Sequence, residues 1–357
     1  LTVEKHVPLV GWLLLLLALV SSNSTGPVGD YQASHPPDAP PAVWLRAAWR
    51  GLASSLGVLG FTLSQPNGWG ALRTLFLLRR PERVAVLGAG VSLLCYYGGL
   101  TVSLSLTSVD HAALLSSSSS FWMVGCKLLA AAAHAASPQA ASFLLGKPPR
   151  APPATQALGV AAGALGVALC FLDAPPSADA DGGGEVAQPP SAAGDALALF
   201  SGLGCMQYLR FAEALRPHLD APVFYLAVMV QYGALCLVAS CVLDPTPPRL
   251  SFDEQRGVFG WLHPSVARLG CQLWFVVFVD ICGNLGLVAV MKYVPSMVVA
   301  VALLLSPIIA TAEGMAIGTE ALPGPWTMGG AGVIIVASLI IAKDSQQSST
   351  TVELKAL

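Results

Sequence analysis

Ten stretches of this chain are each close to the length needed to cross a bilayer, and few charges interrupt them. They lie near 8–29, 43–64, 84–107, 110–132 and 155–173, then near 194–214, 221–243, 269–291, 295–316 and 324–342. A crossing takes about 20 mostly apolar residues, because inside lipid only an unbroken helix satisfies its own backbone. Composition agrees. Charged residues make up 11% of the chain, against about 25% in an ordinary soluble domain, and hydrophobic residues make up 54%. Apolar surface in that proportion needs lipid to cover it. The expected fold is an all-α integral membrane protein of ten transmembrane helices. Its shortest hinges join the third helix to the fourth (Ser108 to Asp110) and the eighth to the ninth (Lys292 to Pro295).

The loops carry an orientation signal, since cytoplasmic loops hold the excess of Lys and Arg. With the N-terminus inside, the second loop is cytosolic and holds Arg73, Arg79, Arg80 and Arg83. The other inner segments hold Lys147 and Arg150, Arg216 and Lys343, while 30–42 has no Lys or Arg and 174–193 has only Asp179, Asp181 and Glu185 as charges. The outer loop 244–268 is mixed. An even number of spans with both termini cytosolic fits this pattern. A rival reading takes Val7 to Val20, following Lys5, as a secretory signal peptide, which leaves nine spans and an outer N-terminus. Asn23-Ser24-Thr25 matches a glycosylation sequon but falls inside the first stretch, so it is expected to stay unmodified.

Several function classes drop out. The net charge of -2 and the lack of a basic cluster interleaved with aromatics argue against nucleic acid as a partner. The eight cysteines (Cys95, Cys126, Cys170, Cys205, Cys236, Cys241, Cys271 and Cys282) sit in apolar segments with no CxxC pair or clustered histidine. They read as packing residues, with no metal and no cofactor implied. An intramembrane enzyme needs a concentrated constellation. Here Asp280 is the only acid placed at mid-membrane, and His111 and His134 lie at a helix end and in a loop region. No catalytic residue is assigned.

The two halves repeat. Gly146, Pro153 and Thr155 precede a helix carrying Gly159, Gly163 and Gly166, while Gly318, Pro325 and Thr327 precede one carrying Gly329, Gly330 and Gly332. The first three residues recur at the same spacing. This divides the chain into 1–173, a Pro/Gly-rich linker over 174–193, a second unit over 194–343 and a polar tail over 344–357. Five spans per unit is odd, so the second unit enters the membrane inverted, an arrangement found in carriers.

Three segments of the second half carry a family likeness: Gly194-Asp-Ala-Leu-Ala-Leu-Phe-Ser201, Lys292-Tyr-Val-Pro-Ser-Met-Val-Val-Ala300 with Leu304-Leu-Ser-Pro307, and Ile317-Gly-Thr-Glu320. In the first half Pro41-Ala-Val-Trp-Leu-Arg46 belongs with them. With these segments the chain resembles the drug/metabolite transporter superfamily with paired EamA-type domains. It departs at Gly146-Lys147, where that family often has Gly-Glu, and at 132–145, which looks like extra sequence. The resemblance implies two inverted five-helix repeats around a central cavity, with both termini cytosolic. It names no substrate.

Polar side chains inside the apolar stretches are the candidate site residues, since an ionisable group at the bilayer centre costs roughly 2.5–3.5 kcal/mol on insertion scales. Asp280 lies mid-way along the eighth stretch with Asn284 one turn on. It reads either as a cavity acid or as interhelical hydrogen-bond glue. Arg46 and Arg50, one turn apart on the second stretch, suit a carboxylate or phosphate, although Arg46 also fits a snorkelling side chain. Lys127 and Glu313 either pair within the bundle or face the cavity. Gln207, Tyr208, Gln231, Tyr96 and Tyr97 are further lining candidates. The run Ser116 to Ser120 reads mainly as close-packing small residues, and Pro307 as a kink and transport hinge.

The expected function is transport of a small polar metabolite by alternating access, with Asp280, Asn284 and Arg50 on one cavity. A non-transporting membrane scaffold or receptor on the same fold is the alternative. The expected partners are the lipid bilayer and a small-molecule substrate, and the GxxxG-like faces leave a homodimer open.

Overall fold

A computed structural model of the protein describes residues 9–34, 42–107, 112, 115–136, 154–170, 172, 191–294, 296–317, 324–326, 328–337 and 339–340. Most of the linker 174–193, the motif beginning at Gly146, Gly318 to Glu320, His111 and the tail 344–357 lie outside these residues. The described part is mostly helical, with turns and loops between the helices and one isolated bridge between Arg249 and Gly257.

Each of the ten apolar stretches contains helix. In chain order the elements are α1 (Leu9–Asn23), α2 (Thr25–Ser34), α3 (Val43–Ser64), α4 (Gly68–Leu77) and α5 (Arg80–Ser103). They continue with α6 (Ser119–Ala136), α7 (Ala154–Cys170), α8 (Ala192–Leu215), α9 (Ala221–Leu243) and α10 (Arg268–Val290). α11 runs over Ser296–Ala302, tightens to a 3-10 turn at Leu303–Leu305 and resumes over Ser306–Ile317, and α12 covers Met328–Ala337. Among the described residues, five helical runs are long and apolar enough to cross a membrane: Leu9–Gly29, Arg80–Ser103, Ala221–Leu243, Arg268–Val290 and Val298–Ala316.

The distribution of polarity is that of a protein solvated by lipid. Leu13, Leu16, Leu129, Leu158 and Val242 face outward, while Arg50, Asp280, Gln272 and Arg268 are buried. A water-soluble fold would not leave so much contiguous aliphatic surface uncovered.

Three features differ from a simple reading of the stretches. The first stretch is interrupted at Ser24, a single turn residue between α1 and α2, just before Gly26 and Pro27. The hydroxyls and amide of Ser22, Asn23, Ser24 and Thr25 all turn back onto carbonyls three or four residues earlier, competing with the helix ladder there. The segment between the second and third stretches also forms a helix, α4, too short to span. Finally, α5 widens to π geometry over Leu94–Gly98, and α10 does so over Phe275–Leu285.

Small residues set the packing. α3 crosses α9 at Gly51 and Gly233, where a Cβ on Gly233 would sit 3.0 Å from the Gly51 carbonyl carbon. Only glycine permits so close a backbone approach. α7 meets α12 in the same way, since a Cβ on Gly166 would lie 2.8 Å from the carbonyl oxygen of Gly330. Around these pairs, α1 packs on α10 and α11, and α8 packs on α5 and α6.

The helix ends are tied as well. Asp244, which terminates α9, accepts the Trp44 and Leu45 backbone N–H groups at 3.3 and 3.2 Å and so caps α3 from 200 residues away. These are the free donors of the first turn, where a carboxylate also meets the positive end of the helix dipole. The segment after Asp244 folds back over the same end: Trp49 Nε1 donates to the Gly257 carbonyl at 2.9 Å. Buried Arg268 reaches the Gln32 carbonyl at 3.1 Å and lies 3.4 Å from Glu254.

Candidate functional site

At mid-bundle the chain buries an ion pair. Arg50 of α3 and Asp280 of α10 meet through Nη2 to Oδ1 at 2.9 Å and Nε to Oδ2 at 3.3 Å. Asp280 is fully buried. Its carboxylate also accepts the Ser54 hydroxyl at 2.5 Å, the Tyr225 hydroxyl at 2.7 Å and the Asn284 amide at 2.9 Å. Five hydrogen bonds from three helices therefore converge on one side chain. A carboxylate buried in an apolar bundle requires such compensation, because isolated it would cost several kcal/mol or take up a proton.

The local geometry explains how the cluster is held. Ser54 lies one helical turn after Arg50, and Asn284 four residues after Asp280, so each pair shares a face. The Arg50 guanidinium is also held between rings, 4.3 Å from the centroid of Tyr97 and 5.5 Å from that of Phe275. Cation–π contact of this kind strengthens where water is excluded. Tyr97 stacks on Tyr96 at 4.6 Å and meets Tyr232 edge-on at 5.9 Å. The π segments of α5 and α10 carry Tyr96 and Tyr97 on one side and Asp280 and Asn284 on the other. Such widened turns are found often at functional sites.

Beside the ion pair lies a cavity of about 280 Å³. Helices α1, α2, α3, α5, α6, α8, α9, α10 and α11 all contribute to its wall, together with Ser116 and Ser117 just before α6. On α5 and just past its end the lining residues fall between Tyr96 and Ser105, remote from Arg79, Arg80 and Arg83. The cavity thus extends from mid-bundle away from that arginine cluster. Toward the cluster the bundle is filled by Val86, Ala89, Leu215, Val223 and Phe224, and Ser296 at the start of α11 donates to Glu213 of α8 at 2.5 Å.

The residues singled out in the sequence divide into groups. Arg46, Arg50, Tyr96, Tyr208 and Asn284 line the cavity. Asp280 sits behind Arg50, engaged with protein groups. Gln231 serves a packing contact instead: its amide donates to the Ala227 carbonyl at 3.0 Å and to that of Val86 at 3.4 Å, joining α9 to α5. Gln207, Lys127 and Glu313 are not among the lining residues. Lys127 is exposed on α6 within electrostatic reach of Glu213, and Glu313 is half-buried on α11. Pro307 is the second residue after the 3-10 turn, and its missing N–H removes a rung of the ladder there.

No family model matches the chain, and no curated protein matches it in sequence. Solved structures do share its fold. One, described only as the crystal structure of a protein, superposes with a TM-score of 0.57 at 16% sequence identity. The match covers 95% of this chain and 98% of the other. At that identity the likeness concerns the fold alone.

Sequence reasoning missed Ser54, Tyr225 and Phe275. Ser54 carries a usable signal, because it lies four residues after a buried arginine. Tyr225 and Phe275 carry none, since an aromatic in an apolar helix is as readily a lipid-facing or core residue.

Proposed function

We propose that the protein is a membrane carrier that moves a small polar metabolite by alternating access. In this reading ten helices form two inverted five-helix repeats of the drug/metabolite transporter type. Both termini and the Arg79–Arg83 end face the cytosol. The observation that carries the proposal is the cavity, which is central, mostly apolar with a few convergent polar groups, and walled by helices from both halves of the chain.

The packing supports the repeat. Exchanging the two halves pairs α1 with α8, α3 with α9, α5 with α10, α6 with α11 and α7 with α12. Under that exchange the contact of α1 with α10 becomes that of α8 with α5, and the contact of α1 with α11 becomes that of α8 with α6. The two glycine crossings, α3 with α9 and α7 with α12, map onto themselves. The π segments of α5 and α10 are likewise partners. Two near-equivalent halves around one site are suited to rocking between inward-open and outward-open states. With the arginine cluster cytosolic, this conformation opens its cavity outward and is closed inside by the Ser296–Glu213 bond.

The test is uptake into proteoliposomes of a broad metabolite panel, comparing the native chain with Thr101→Trp. Thr101 lines the cavity and its hydroxyl bonds only within its own helix, to the Tyr97 carbonyl at 2.6 Å, so the indole should fill the cavity without breaking a tertiary bond. Accumulation of one compound class by the native protein, lost in the variant, is the expected result. If no compound moves with either protein, although both are folded and inserted, the carrier reading fails and a membrane scaffold takes its place.

A further inference from the structure

The mostly apolar cavity wall carries a few polar groups in a specific arrangement. Arg50 has three guanidinium nitrogens, and Nε and Nη2 are both engaged by Asp280. Nη1 is not engaged by Asp280, and Arg50 forms part of the cavity wall. The guanidinium is fixed by its bidentate pair below and by the Tyr97 and Phe275 rings at its sides. Its remaining donor edge is therefore preorganised, so engaging a ligand costs little side-chain entropy.

A second unsatisfied group shares the wall. The Tyr208 side chain lines the cavity and is 7% exposed, and its hydroxyl makes no hydrogen bond. A buried hydroxyl without a partner costs on the order of 1–3 kcal/mol, so it marks a place where a ligand atom belongs. Arg46 puts a second guanidinium on the same wall, one turn of α3 outward. Among the described lining residues every charged side chain is a cation. The remaining wall includes four rings, Tyr96, Tyr97, Tyr232 and Phe275, among aliphatic and small hydroxyl side chains.

From this arrangement we infer that the cavity binds a small organic anion, whose carboxylate or phosphate oxygens are taken by Arg50 Nη1 and the Tyr208 hydroxyl, with Arg46 completing the charge and the tyrosines receiving a flat or apolar body. The inference deepens the carrier reading by naming its substrate class and rests on that reading. A carboxylate and a phosphate monoester share the chemistry used here, hydrogen-bond acceptor oxygens bearing negative charge. A cavity of about 280 Å³ lies just below the range typical of ligand sites, which fits a compact metabolite rather than a lipid.

The experiment uses the full chain purified in detergent and follows its thermal unfolding with four probes of matched size. Benzoate and phenyl phosphate carry the proposed oxyanions, benzamide is their neutral counterpart and benzylamine the cationic one. Ligands that bind the folded state raise the unfolding temperature in proportion to occupancy. The expected result is stabilisation by one or both anions at millimolar concentration and none by benzamide or benzylamine. Benzoate against phenyl phosphate then separates carboxylate from phosphate as the preferred source. Tyr208→Phe breaks no protein hydrogen bond, so it should fold normally and weaken anion binding by about tenfold, as loss of one bond to a charged group would. Arg46→Gln should weaken it by a similar factor.

Equal or stronger stabilisation by benzamide or benzylamine overturns the inference, as does the absence of binding by any probe or an unchanged affinity in Tyr208→Phe. The same probes in proteoliposomes keep the two readings apart. Anion binding without uptake sinks the carrier and leaves the anion site. Uptake of neutral or cationic compounds without anion binding sinks the anion site and leaves the carrier.

Discussion

Arg50 is part of the cavity wall, its pair with Asp280 is a structural tie, and the two roles separate by mutation. Removing one member of a buried, fully hydrogen-bonded pair leaves the other charge uncompensated, which costs about 3–5 kcal/mol. Asp280→Ala should therefore lower stability in detergent by that amount, whereas Arg50→Met with Asp280→Leu should recover most of it, because two apolar side chains leave no orphan charge. A double mutant no more stable than Asp280→Ala would show that the pair's worth lies in its hydrogen bonds to Ser54, Tyr225 and Asn284 rather than in the charge balance. As candidates, Asp280, Asn284 and Arg50 were legible in the sequence, since polar groups in apolar helices need a reason to be there. That Arg50 would find Asp280 across 230 residues was not, because helical spacing gives the face a residue shares with its neighbours and not the helix that face meets. Gln231 and Lys127 look equally promising by that criterion, yet one joins two helices and the other is exposed on α6.

Helix positions were readable from length and hydropathy, and their irregularities were not. The break at Ser24 depends on side chains folding back onto the α1 carbonyls, and the π turns of α5 and α10 have no mark in the sequence. The ten-residue α4 is too short to register as a span, so that region reads as loop. Glycine pattern was a better guide, but only once a partner is known. Gly233 faces Gly51 with backbones in contact, while a Cβ on Gly60 of the same α3 would meet open space. Gly233→Leu should therefore lower the unfolding temperature well below that of Gly60→Leu, because the first must push α3 and α9 apart and the second projects into lipid. Equal effects on the thermal melt would mean that helix propensity, not the close crossing, decides both positions.

At the scale of the whole molecule the two ends of the bundle are fastened differently. One is bound by Asp244 capping α3 and by the 244–268 segment folded over Trp49; the other carries the Ser296–Glu213 bond between α11 and α8 and a 3.6 Å approach of His218 to Glu82 of α5. Glu213→Ala should raise amide hydrogen exchange in the first turns of α11, over Ser296–Ala302, and leave the start of α3 protected. Unchanged protection at Ser296–Ala302 would show that aliphatic packing alone holds that end shut. The mid-bundle ion pair has a further consequence, in the order of synthesis. A ribosome adds about 5–20 residues per second, so the 230 residues between Arg50 and Asp280 take roughly 10 to 50 seconds to appear. Throughout that interval a guanidinium destined for the interior has no counterion. The nascent first half must therefore shelter it at an interface, in water or against another protein, and cannot reach its final packing until the eighth apolar stretch has emerged.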